Sequence, residues 1–315
     1  MTVLSPEERL WGLLRGVLGT RALALVADLG VADALADGPR PVAELAHQLD
    51  VDADTLRRLL RALASEGIFA EEEPGVFQNT DASELLRGGW GSFAHLFGGA
   101  WFQATGVLDA SGQPSFPGLF GTDYWSWLAE TPDERAAFDR AMEQGNEGRV
   151  ERLAALAWRG DETVVDVGGG NGSLLVGLLQ KRPGLRGIVF DLPETTRDEA
   201  GLGERCTFVA GSFFDRVPEG DVYVLSTILH DWDDAAAARI LETIRAHAPA
   251  GARLFVIDAV VRDGNEPDGA KWLDLLMLAL FAGRERDENQ WRALLSAGGF
   301  EPVSIADGLI EARCR

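Results

Sequence analysis

The sequence predicts an α/β protein, a doubly wound, mainly parallel sheet with an antiparallel edge, preceded by an all-α domain. Three observations carry this. From residue 161 onward, short β-rich runs alternate with helical ones, the pattern of a parallel sheet covered on both faces. The first strand-to-helix junction of that region, "DVGGGNGSLL", holds Gly168, Gly169, Gly170 and Gly172. The first third carries apolar residues at helical spacing. At 315 residues the chain is long enough for one large or two ordinary domains. The expected division is 1–98 and 99–315.

The elements follow in order. Ser5 before Pro6-Glu7-Glu8 is a helix cap followed by proline and early acids. Helical spacing runs over 7–36 with a break near Gly30. Val42, Leu45, Ala46 and Leu49 line one helix face, and Leu56, Leu59, Leu60 and Leu63 another. Gly67 ends that second helix, and a hairpin is expected around Pro74-Gly75. Two helices, a turn and a hairpin form a winged-helix pattern. Residues 88–160 are rich in aromatic side chains, enough to pack a core or wall an apolar cavity.

Beyond 161, "TVVDVGGG" precedes the helix "SLLVGLLQKR", and "RGIVFDLP" precedes a polar helix from Glu194. "CTFVAGSFF", "DVYVLSTIL" and "ARLFVIDAVV" read as further strands, with a helix from Ala235 between the last two. A long helix is expected near 270–282 and another over "DENQWRALLSAGGF". The closing strands "EPVSIAD" and "LIEARCR" meet at an Asp307-Gly308 turn, which implies the antiparallel edge.

Charge narrows the function. The net charge is −21, against any broad phosphate-neutralising surface and against an anionic membrane. The winged-helix pattern by itself admits DNA reading. Yet from Asp37 to Glu84 there are eleven acids against four bases, Arg40, Arg57, Arg58 and Arg61, and the wing holds Glu71-Glu72-Glu73. A packing or dimerisation module fits that charge better than a nucleic-acid partner. Two cysteines, Cys206 and Cys314, suit a reducing cytoplasm. The N-terminus lacks the basic-then-apolar form of a signal peptide. The apolar segment Leu273–Ala282, interrupted by Asp274, is too short to span a bilayer.

The chemistry gathers at strand ends. The glycines of the first junction permit a tight turn and close approach of a ligand to the backbone. Asp191 ends the next strand, 23 residues after Gly168, where a carboxylate can accept from ribose hydroxyls. Nicotinamide-dependent oxidoreductases share that feature, so hydride transfer remains an alternative on these residues alone. After the fourth strand, "LHDWDD" places His230 beside Asp231, Trp232, Asp233 and Asp234. Asp233 and Asp234 read as the cap of the next helix, and Trp232 as packing. No metal is expected, since no other cluster of ligating side chains exists.

"DVGGGNGSLL", "FDLP", "GSFF", "LHDWDD" and "GRERDENQW" occur in the order and at about the spacing of the small-molecule O-methyltransferases that use S-adenosylmethionine. The chain resembles that family, of plant phenolic and bacterial polyketide-tailoring type, over nearly its whole length. The resemblance implies a Rossmann-like catalytic domain and an N-terminal domain that forms an intertwined homodimer. It implies that Gly168, Gly169 and Gly170 lie along the methionine part of the cofactor, Asp191 at the ribose, and Ser212-Phe213 at the adenine. The family more often has Asp at position 212. Ser226 stands where plant members often have Lys. His230 matches the general base, and Asp258 and Glu285 match the acids flanking it. An acceptor pocket is expected from Phe138 and Met142 together with Trp272, Leu276 and Met277. Histidine suits proton removal near neutral pH, and positioning alone can remove about 7–11 kcal/mol of a bimolecular barrier. Some relatives bind the same cofactor and hydroxylate, decarboxylate or cyclise instead. The presence of His230, Asp258 and Glu285 speaks for methyl transfer to a hydroxylated small molecule.

Overall fold

The computed structural model describes residues 5–195 and 202–315. The chain divides into two compact units, Met1–Gln103 with Pro132–Gln144, and Ala104–Thr131 with Gly145–Arg315.

In the first unit the helix Pro6–Asp28 starts at a capping box: Glu8 N donates to Ser5 Oγ (3.1 Å) and Ser5 N donates to Glu8 Oε2 (2.7 Å). That satisfies two backbone donors that a helix start leaves open. The helix buries only Ala22, Ala24 and Val26 and leaves Leu10, Trp11, Leu13, Leu14, Val17 and Leu18 exposed. Among the described residues it is the one helix long and apolar enough to cross a membrane, so the most extended apolar stretch is here and not at Leu273–Ala282. The strand β1 (Arg40–Pro41), the helices Val42–Leu49 and Ala53–Ala64, and the strands β2 (Phe69–Glu73) and β3 (Val76–Asn79) follow. The three strands pair antiparallel in the order β1-β3-β2. Leu45, Ala46, Leu56, Leu60 and Leu63 pack against Phe69 and Phe77 beneath this wing, at positions set by the 3.6-residue period.

The second unit is built on a seven-stranded sheet. Its strands are β4 (Thr163–Val167), β5 (Arg186–Asp191), β6 (Cys206–Ala210), β7 (Val222–Ser226), β8 (Arg253–Ile257), β11 (Phe300–Ala306) and β12 (Leu309–Cys314). The order is β11-β12-β8-β7-β4-β5-β6. The five strands from β8 to β6 run parallel, whereas β12 runs antiparallel to both its neighbours, β8 and β11. Val164, Val165 and Val167 on β4, and Tyr223, Val224 and Leu225 on β7, are buried on both faces, as central parallel strands require. One face packs on Ile240, Leu241, Ile244, Trp291, Leu294 and Leu295, the other on Val150, Leu153, Leu174, Leu175 and Leu178. Each such side chain contributes about 1.5–3 kcal/mol by leaving water. The strand order reverses between β4 and β7, and ligands of such sheets bind beyond the carboxyl ends there.

Two expectations need amendment. "ARLFVIDAVV" is not one strand: β8 stops at Ile257, and β9 (Val260–Val261) leaves the sheet to pair in parallel with β10 (Arg286–Asp287). This two-residue ladder brings the segment after β8 beside the segment after the helix Ala270–Phe281. The polar helix expected from Glu194 falls largely on 196–201, outside the described residues.

Candidate active site

The glycine loop joins β4 to the helix Ser173–Lys181. Gly168 and Gly170 take φ of 73° and 57°, a region that favours glycine. A Cβ on Gly168 would lie 2.5 Å from Ile228 Cδ1, and one on Gly169 would lie 2.8 Å from the Asp166 carboxyl group. Gly170 N donates to Asp191 Oδ2 (2.8 Å), while Leu192 N and Thr195 Oγ1 donate to Oδ1 (2.6 and 2.8 Å). Asp191 is therefore fixed at the end of β5, with Oδ1 fully engaged and Oδ2 retaining a lone pair. Ser212 and Phe213 follow β6. Ser212 Oγ accepts from Phe214 N (3.2 Å), and the Phe213 ring packs edge-on against Phe214 and Trp232. Ser226 ends β7, its buried Oγ without a partner among the described residues.

Asp166 is a further acid beneath the loop. It is buried, Oδ2 has no partner among the described residues, and burial with the nearby Asp191 charge pushes its pKa up to about 7.

After β7 the chain turns sharply. Thr227 has φ 54°, a costly conformation for a β-branched residue, held by its N–H donating to Ile257 O (2.9 Å). A 3₁₀ turn, Leu229–Asp231, then delivers His230. Four titratable groups meet there, with exposures of 7% (His230), 6% (Asp231), 4% (Asp258) and 3% (Glu285). His230 Nδ1 lies 2.7 Å from Glu285 Oε1 and 3.8 Å from Asp258 Oδ1, and Nε2 lies 3.4 Å from Asp231 Oδ1. The short Nδ1 contact, with the proton on Nδ1, leaves the Nε2 lone pair as the acceptor. Burial disfavours a charged imidazole, but Asp258, Asp231 and Glu285 outweigh it and the pKa is pushed up to about 10. Burial pushes Asp231 and Asp258 up to about 7 against the opposing pull of His230.

The ladder β9–β10 explains why Asp258 and Glu285 converge: each lies just before one of its strands. Glu285 N also donates to Asp274 Oδ1 (2.7 Å), so the acid that interrupts the apolar helix Ala270–Phe281 anchors the segment bearing Glu285. Asp233 caps the helix Asp234–His247 by accepting from Ala236 N (2.8 Å). Asp231 is different. It lies against Nε2, although the cluster of acids beside it reads as helix punctuation.

The expected acceptor-pocket residues are not gathered within one unit. Phe138 and Met142 lie on the helix Pro132–Glu143 of the first unit. Trp272 and Met277 lie on Ala270–Phe281 of the second, Trp272 63% exposed and Met277 4%. Within the second unit, Phe281 stacks on Trp125 (5.3 Å) and meets Tyr124 edge-on (5.2 Å), next to Phe116, Phe120 and Trp127.

A glycine loop, an acid ending the second strand, and a buried imidazole at the switch point of a doubly wound sheet define a nucleotide-cofactor enzyme of the Rossmann-like class. Residues 102–301 match the O-methyltransferase domain and residues 11–88 the O-methyltransferase dimerisation domain. The chain belongs to that O-methyltransferase family. It is 37% identical to the phenazine O-methyltransferase PhzM of Lysobacter antibioticus, over 96% of this chain and 94% of that protein. The crystal structure of LaPhzM superposes with a TM-score of 0.92 at 35% identity, covering 99% of this chain and 100% of that one. NcsB1 from neocarzinostatin biosynthesis, solved with S-adenosyl-L-homocysteine and 1,4-dihydroxy-2-naphthoic acid, gives a TM-score of 0.79 at 32% identity over 94% of this chain and 96% of that one. The chain is an S-adenosylmethionine-dependent O-methyltransferase. Its residues fit that cofactor: Asp166 Oδ2 and Ser226 Oγ are orphaned buried polar atoms on adjacent strands, beside a loop with no room for side chains at Gly168 and Gly169.

Proposed function

We propose that the acceptor is a hydroxyl of a small aromatic or polyketide-like natural product and that His230 is the general base. The observation that carries this is the 2.7 Å contact of His230 Nδ1 with buried Glu285 at the sheet's switch point. Glu285 holds the imidazole by Nδ1, Nε2 takes the hydroxyl proton, and Asp231 and Asp258 stabilise the imidazolium that forms. Gly168, Gly169 and Gly170 would hold the methionine part of the cofactor, Asp191 the ribose, Ser212 and Phe213 the adenine, with Ser226 alongside. When bound, S-adenosylmethionine supplies an electrophilic methyl on a sulfonium whose positive charge opposes a second one on His230. Retention of the base and both flanking acids favours methylation over a non-methylating reaction. Within the catalytic unit, Trp272 and Met277 on the helix Ala270–Phe281 are assigned to the acceptor side of the site.

The enzyme works as a cytoplasmic homodimer joined through residues 1–98, with 99–315 catalytic. The exposed apolar face of Pro6–Asp28 supports this, because six large side chains left in water are a surface that a second copy would cover.

The test is His230→Ala with a panel of phenols and polyketides, read by mass spectrometry. A fall of about 10²–10⁴ in kcat, with unchanged cofactor affinity by calorimetry, is expected. Full turnover by the variant rejects the base assignment.

A further inference from the structure

Arg286 belongs to no role assigned above, yet its side chain is 0% exposed. Its guanidinium donates in three directions: Nη1 to Leu229 O (2.8 Å), Nη2 to Trp232 O (2.9 Å) and Nε to Asp234 Oδ1 (2.9 Å). The two carbonyls bracket His230 in the chain. The other face of the guanidinium lies 5.4 Å from the Trp291 ring centroid, a cation–π contact that fixes its plane. Neighbouring backbone closes the arrangement. Arg284 N donates to His230 O (2.8 Å), and a Cβ on Gly283 would lie 2.2 Å from that same oxygen. Residues 283–286 therefore form a mould around the 229–232 turn.

We propose that Arg286 is a positioning residue for the transfer reaction, holding the backbone on both sides of His230 so that Nε2 meets the acceptor hydroxyl. The proposal rests on the reading of His230 as base. A buried cation satisfied by backbone carbonyls, Arg284 O (3.4 Å) included, and one carboxylate does not touch the reactants. It acts by setting the turn. A planar fork with fixed donor directions can serve three acceptors at once, and a lysine ammonium on a flexible stem cannot reproduce that geometry. Misplacement of a catalytic group by about 1 Å can cost a factor of 10². Asp234, more than half exposed, supplies the third acceptor from the solvent side, so it anchors the fork as well as opening its helix.

The test uses the full chain with Arg286→Lys, Arg286→Met and Asp234→Asn. Arg286→Lys is expected to lower kcat by about 10- to 100-fold, with the dissociation constant for S-adenosylmethionine within twofold and the midpoint of the pH–rate profile unchanged. Arg286→Met, which also removes a positive charge, is expected to lower kcat and move that midpoint to higher pH. Asp234→Asn, a substitution at an exposed side chain that keeps the helix start, is expected to give a smaller kcat loss with cofactor affinity retained. Wild-type kcat in Arg286→Lys overturns the proposal. So does a parallel loss of cofactor affinity and kcat in Asp234→Asn, which would mark general disruption. Full activity of His230→Ala would defeat the base assignment separately, since that variant leaves Arg286 in place.

Discussion

Replacing Glu285 by Gln tests the site most sharply, because it keeps an oxygen acceptor and removes one charge. Glu285 Oε1 lies 2.7 Å from His230 Nδ1 with both side chains buried. A hydrogen bond between ionised partners contributes about 1.5–3 kcal/mol. At 1.36 kcal/mol per pH unit, its loss lowers the proton affinity of His230 by about one to two pH units. As the proposed base, His230 must be neutral to act. Its pKa is raised by the flanking acids, so the wild-type rate climbs with pH through a midpoint above the ordinary histidine value. In Glu285→Gln the midpoint moves down. The high-pH plateau falls as well, because the imidazolium formed in transfer has lost a stabilising charge. The assay is kcat/KM from pH 6 to 10 at saturating cofactor, on the purified enzyme. The variant should lose least at pH 6 and most at pH 10. An unchanged midpoint would refute the assignment of Glu285 as the partner that sets the basicity of His230.

Two further outcomes follow from the strand ends. Thr227 sits at φ 54°, where asparagine is tolerated better than a β-branched residue, so Thr227→Asn should stabilise by about 1 kcal/mol; a lower Tm would show that its Oγ1 bond to Ser226 O (2.7 Å) matters more. Asp166 holds its proton in the folded state up to about pH 7 and loses it near 4 when unfolded. Its contribution therefore turns unfavourable as pH rises from about 4 to 7, by roughly 4 kcal/mol in total. Asp166→Asn should gain Tm over wild type progressively between about pH 4 and 7 without cofactor and level off above, and a pH-independent difference would contradict the burial argument.

The alternation of strands and helices was legible because period and composition report which face of an element is buried. The glycine loop, Asp191 and His230 were legible because each ends a strand at a recognisable break. Asp231 was not. Three acids within four residues look like a helix start, and only the 3₁₀ turn after left-handed Thr227 decides that Asp231 faces inward. Arg286 was hidden for a related reason. A charged residue in "GRERDEN" reads as solvated, and its burial depends on carbonyls 54 and 57 positions away in sequence. Asp166 lay inside a strand whose pattern reads as apolar. The break of β8 before Asp258 left no mark in composition, since Val260 and Val261 suit either sheet.

The ladder β9–β10 pairs only two residues from each strand, outside the seven-stranded sheet. The segments bearing Asp258 and Glu285 thus depend on far fewer backbone bonds than the core, and local opening costs less than global unfolding where such bonds are few. The proposed catalytic apparatus would then be a cooperative unit smaller than its domain. Heating would loosen the two acids beside His230 while the nucleotide cradle beyond β4 and β5 still stood, separating loss of turnover from loss of fold.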